Sequence, residues 1–88
     1  MDGLLRGLTP EGDLAAVQRV WAAAVGPAIA AAGRPVGLVD GVLYVRCEDA
    51  TWAHELQLME RRIVERLQAA GGPTATAVRS IRTASGAG

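Results

Sequence analysis

An α+β domain, with helices packed on one face of a small three-stranded sheet, is the fold that three features of this sequence predict. Apolar residues recur at helical spacing in two long segments. Between these segments lie two β-branched runs joined by Asp40-Gly41, in which Val36, Leu38, Leu43 and Val45 fall on a single side. A sheet with one apolar side needs cover, and the helices carry the matching stripes. At 88 residues the chain makes one domain, near the lower size at which a single core holds without staples. That domain is expected over residues 1–83, with 84–88 as a frayed tail.

The first helix runs from about Glu11 to Val25, where Leu14, Val17, Trp21 and Ala24 recur at steps of three and four and share one face. Thr9-Pro10 or Asp13 starts it. Gly26-Pro27 breaks it, and Pro27 suits the first position of a second short helix, PAIAAAG, because the N–H it lacks has no helical partner there. Gly33 closes that helix. In PVGLVDGVLYVRC, Asp40-Gly41 supplies the two positive-φ positions of a type I′ turn, which pairs Val39 with Val42, Leu38 with Leu43 and Val36 with Val45. In this register Val36, Leu38, Leu43, Val45 and then Cys47 point to the covered side, leaving Val42, Tyr44 and Arg46 on the open side. Asp49 caps a long helix that runs to Gly71-Gly72-Pro73, with Trp52, Leu56, Met59, Ile63 and Leu67 as its buried stripe. Leu58 stands about 200° from Leu56 on a helix turning about 100° per residue, among Glu55, Arg62 and Glu65, so it is expected to be exposed. A short last strand around Arg79 to Thr83 turns Ile81 inward and Ser80 and Arg82 outward, with Val78 breaking the parity on a bulge.

Composition narrows the function. The formal charge is zero and all nine basic residues are arginine; residues 66–88 carry Arg66, Arg79 and Arg82 without an acid, so only a local basic patch is available. The longest apolar run, VWAAAVGPAIAAA, has thirteen residues with Gly26-Pro27 inside it, short of the ~20 a membrane span needs. Cys47 is the only cysteine and no secretory pattern follows Met1, so a reducing cytoplasm is the expected compartment. With His54 the only histidine and Cys47 on the covered side, neither a zinc site nor a Cys/His pair is expected. Glu55, Glu60 and Glu65 read as a solvated helix face beside Arg61, Arg62 and Arg66. Neither G-x-x-x-x-G-K nor G-x-G-x-x-G occurs. No enzyme and no cofactor are expected.

Three stretches carry a resemblance. W-x-x-x-V-G-x-x-I-A at Trp21 to Ala30, P-x-x-L-x-D-G-x-L-x-V at Pro35 to Val45 and T-W-A-x-E-L at Thr51 to Leu56 follow one another within residues 4–83, and together they resemble the DciA family. The element order is that of small KH-like domains. The resemblance implies a noncatalytic loader or adaptor that helps place the hexameric DnaB-type replicative helicase on single-stranded DNA in bacterial replication, and that binds nucleic acid weakly itself. Trp52, Ala53, Glu55 and Leu56 match the family's long-helix motif; Trp21, Val25 and Gly26 match its first-helix motif, whose part is structural. Gln68 stands where an asparagine is frequent. The basic extension that many members carry is not found, which leaves few phosphate contacts to release counterions. The G-x-x-G loop with which KH domains clamp a nucleotide backbone is absent between the first two helices.

Two surfaces follow. Contact with the helicase is expected on the N-terminal half of the long helix, through Trp52, Glu55 and Leu58, with the indole buried along one edge and open along the other. Single-stranded DNA is expected on the open sheet face, where Tyr44, Arg46 and Arg82 set an aromatic ring beside guanidinium groups. The alternatives are a small single-stranded nucleic-acid-binding module that uses this face alone, and a structural dimerisation domain with Leu58 and Val42 at its edges. No membrane partner is expected.

Overall fold

A computed structural model describes residues 11–70, 75 and 77–85. Helix α1 covers Glu11–Val25, as the periodicity predicts, with Val17, Trp21 and Ala24 buried and Leu14 half-buried. Gly26, at φ 93, reverses the chain. Its N–H donates to the Ala22 carbonyl at 2.8 Å and closes α1, and its own carbonyl accepts from Ala30 N–H at 2.9 Å and opens α2, Pro27–Ala32. A Cβ at Gly26 would meet nothing within 4 Å, so it is the positive φ that favours glycine there, not space.

Strands β1, Gly33–Val39, and β2, Val42–Cys47, form the antiparallel hairpin. Asp40 at φ 50 and Gly41 at φ 83 are its type I′ turn, and Val39 pairs with Val42 and Leu38 with Leu43 as the turn dictates. Beyond that the expected register fails. Val45 faces Pro35, not Val36, because the ladder slips by one residue between Pro35 and Gly37. Proline has no N–H to give to a ladder and sits in strands at edges and bulges. The slip turns Val36 outward, 48% exposed, and brings Pro35 and Gly33 to the covered side; Leu43 and Val45 are buried as expected and Leu38 is half-buried. Helix α1 secures the slipped segment: the Trp21 Nε1–H donates to the Gly33 carbonyl and Gln18 Nε2 to the Pro35 carbonyl, each at 2.9 Å.

The long helix is divided. Helix α3 covers Ala50–Leu58 and α4 covers Glu60–Ala70, with Met59 between them at φ −95 and ψ 10. Met59 N–H is shared between the carbonyls of Glu55 at 3.2 Å and Leu56 at 3.0 Å, and Ile63 N–H returns to the Met59 carbonyl at 2.9 Å. No glycine or proline lies at the break. Its cause is tertiary: α3 packs along the last strand whereas α4 packs on α1. The expected cap is present, with Asp49 Oδ1 accepting from Trp52 N–H at 2.8 Å.

Strand β3, Ser80–Ser85, lies parallel to β2, giving the order β1-β2-β3, and α3 and α4 supply the crossover a parallel pair requires. Ile81 is buried against Leu43, its register partner. Val78 is fully buried in the segment before the strand, not on a bulge within it. The Gly41 carbonyl accepts from both Arg79 N–H at 2.7 Å and Ser80 N–H at 3.2 Å, which ties the start of β3 to the hairpin turn. A Cβ on Gly41 would come within 2.9 Å of Arg79 Nε, on a side chain free to shift, so it is mainly the positive φ that selects glycine. Ala84 and Ser85, expected in the tail, pair with Arg46 and Cys47. The expected start at Thr9-Pro10, the stop at Gly71-Gly72-Pro73 and the last three tail residues lie outside the described residues.

Candidate functional site

Register fixes what the open sheet face presents. Three rows cross it: Val39, Val42 and Ser80; Gly37, Tyr44 and Arg82; Arg34, Arg46 and Ala84. Tyr44, Arg46 and Arg82, the residues singled out in the sequence, therefore share one face, and all three are exposed. Tyr44 is 42% exposed, and its register partner Gly37 brings no side chain to the row. The strands β1, β2 and β3 contain no acid. One arginine of the face, Arg34, was missed. Strict alternation from Leu38 places it inward; the slip at Val36 inverts the parity and turns it outward beside Arg46. The signal that could have found it is Pro35, a residue that marks a bulge when it stands inside a strand.

At the Arg34 end of the face a cleft of about 340 Å³ is lined by Ala30 to Gly33 together with Arg34, Arg46, Cys47 and Glu48. Burial, and secondarily the Asp49 carboxylate, push the Cys47 thiol above its ordinary pKa. A thiol so held stays protonated and makes a poor nucleophile. Among the described residues no three His, Cys, Asp or Glu side chains converge as a metal site would require, and no helix is long and apolar enough to cross a membrane.

The second surface lies on the other side of the sheet. Trp52 is half-buried and packs against the core, Glu55 is exposed, and Leu58 is 69% exposed. Steps of three keep Trp52, Glu55 and Leu58 on adjacent lines of α3. Around the break at Met59 a shallow groove of about 480 Å³ is lined by Leu58, Met59, Arg61, Arg62 and Glu65. The opposite side of the helix is committed to β3. Gln57 Nε2 donates to the Ile81 carbonyl at 2.7 Å and Gln57 Oε1 accepts from Thr83 N–H at 3.1 Å, while the Thr83 hydroxyl donates to the Ala53 carbonyl at 2.7 Å. Glu60, expected on a solvated face with the arginines, instead accepts from Ile81 N–H through Oε2 at 2.8 Å. These side chains close the outer edge of β3, which an unpaired strand would leave open to other chains.

The sequence matches, over residues 1–83, the family described as Dna[CI] antecedent, DciA. The chain belongs to the DciA family. Among its relatives are a UPF0232 protein of Rhodococcus jostii, 39% identical over 67 residues that make up 76% of this chain and 36% of the relative. Another is a UPF0232 protein of Mycobacterium tuberculosis, 42% identical over 52 residues, 59% of this chain and 28% of the relative. A UPF0232 protein of Mycobacterium leprae matches at 42% over 52 residues, with the same shares. The chain thus spans about a third of the length of these relatives.

Within this DciA-family chain the two tryptophan motifs stand in different places. Trp21 is buried, with its indole N–H bonded across to β1, and Val25 is buried beside it. Trp52 opens α3 at the surface end of the core, where the Asp49 cap fixes the first turn of the helix that carries it.

Proposed function

We propose that this domain is a noncatalytic adaptor of a DnaB-type replicative helicase, meeting it through the outer side of α3 and binding single-stranded DNA weakly through the open sheet face. Membership of the DciA family supports the class of partner. The observation that carries the choice of surface is Leu58, a large apolar side chain 69% exposed on a helix whose other side is fully engaged with β3. Such a side chain, flanked by Glu55 and by the guanidiniums of Arg61 and Arg62, has the makeup of an interface anchor within a polar rim. Trp52 acts in both roles, its inner edge packed on the core and its outer edge bordering this surface.

The nucleic-acid role rests on two adjacent rows of the open face, where Tyr44 offers a ring for a base and Arg82, in the same row, and Arg46, in the next, offer charge for phosphate. With so few arginines the binding is weak, tolerant of sequence and sensitive to salt. Titrating the domain against purified helicase and against an unlabelled oligothymidylate at two salt concentrations tests the reading. Saturable helicase binding, together with oligonucleotide binding that weakens as salt rises, is the expected outcome. Oligonucleotide binding alone would favour a small nucleic-acid module, and a mass that doubles with concentration and no binding to either would favour dimerisation.

A further inference from the structure

The bulge at Val36 places two arginines directly opposite each other, Arg34 on β1 and Arg46 on β2, both exposed on the same side of the sheet. Cross-strand partners hold their Cβ atoms about 5 Å apart, and like charges so placed oppose folding. Ala84, the third member of the row, brings no countercharge, and neither does any other strand residue. The pair also borders the cleft of about 340 Å³, whose one acid is Glu48. Two planar forks that line one open concavity suit a single group with several anionic oxygens, and phosphate is that group. Tyr44 stands one row away on β2, about 7 Å along a strand that rises about 3.3 Å per residue.

We infer that Arg34 and Arg46 clamp an internal backbone phosphate of single-stranded nucleic acid whose neighbouring base lies on Tyr44. This rests on the nucleic-acid reading of the open face and adds to it a residue, Arg34, and a position for the strand. The strand crosses from Tyr44 toward the cleft between α2 and the end of β2, and Glu48 opposes it there by repulsion.

Binding of an oligothymidylate without terminal phosphates, followed across a salt series for the full chain and for Arg34→Ala, Arg34→Lys and Glu48→Gln, tests the clamp. Arg34→Ala should weaken binding about threefold or more at low salt and reduce the slope of log affinity against log salt by about 0.7, the share of one phosphate on a single strand. Arg34→Lys should restore the slope but only part of the affinity, since the fork is lost and the charge kept. Glu48→Gln should tighten binding. Because the like-charged pair opposes folding, Arg34→Ala should leave the thermal midpoint unchanged or raise it, which separates lost contact from lost structure. Inorganic phosphate at matched ionic strength should compete only weakly, as the clamp serves one phosphate of a strand held also at Tyr44. If the parent binds the oligonucleotide and Arg34→Ala matches it in affinity and slope, the clamp is wrong while the open face keeps its role. If the parent binds no oligonucleotide at all, both fail.

Discussion

Trp21 and Trp52 occupy different environments, and the difference sets what their loss should do. Trp21 is 4% exposed and spends its N–H on the Gly33 carbonyl, so its removal leaves both a cavity and an unpaired acceptor. Trp21→Ala should cost about 3–5 kcal/mol, much of the ~5–15 kcal/mol a domain of this kind holds. Trp52 is only half-buried, and Trp52→Ala should cost roughly half as much, which urea denaturation of the two variants would resolve. Cys47 yields a pH dependence. The unfolded thiol ionises at its ordinary pKa while the buried one still holds its proton, so the stability it contributes is complete below the ordinary value and declines as pH rises through the raised one. Between neutral and alkaline pH the parent should therefore lose more stability than Cys47→Ala, as read from denaturation midpoints.

Among the elements, β3 depends most on side chains of another element. Its inner edge is held by β2, but the outward N–H and carbonyl of Ile81 and the N–H of Thr83 are satisfied by Gln57 and Glu60. Gln57→Ala removes the partners of an N–H and a carbonyl at once. It should lower stability by about 1–3 kcal/mol and speed amide exchange at Thr83 well before exchange at Leu43 in the central strand. Unchanged protection at Thr83 would show that water replaces the glutamine without cost. The same elements show how much the sequence disclosed. The type I′ turn and the N-cap were legible because each rests on local chemistry, a positive φ at Gly41 and a carboxylate at Asp49. The slip at Val36, the division of the helix at Met59 and the capture of Glu60 by β3 were not, because each depends on a neighbour distant in the chain. For the candidate surfaces the consequence is specific: Tyr44, Arg46 and Arg82 were legible from alternation along β2 and β3, while Arg34 was hidden behind the bulge.

At the scale of the whole molecule, the sheet separates the two surfaces. Leu43, Val45 and Ile81 point into the helical layer, and Tyr44 and Arg82 point away from it. In the proposed function helicase meets α3 and single-stranded DNA meets the open face, and the two are expected to bind together without competing. The central claim is that α3 is contact and not merely scaffold. It is tested most directly by measuring helicase affinity and thermal midpoint together for the parent, Leu58→Ala and Glu55→Gln. Both side chains are exposed, so both variants should melt within a few degrees of the parent. Leu58→Ala is predicted to weaken helicase binding about tenfold, as the loss of a central apolar anchor does, and Glu55→Gln by less. Two variants that melt as the parent does and bind helicase as tightly would contradict the account and move the contact off this helix.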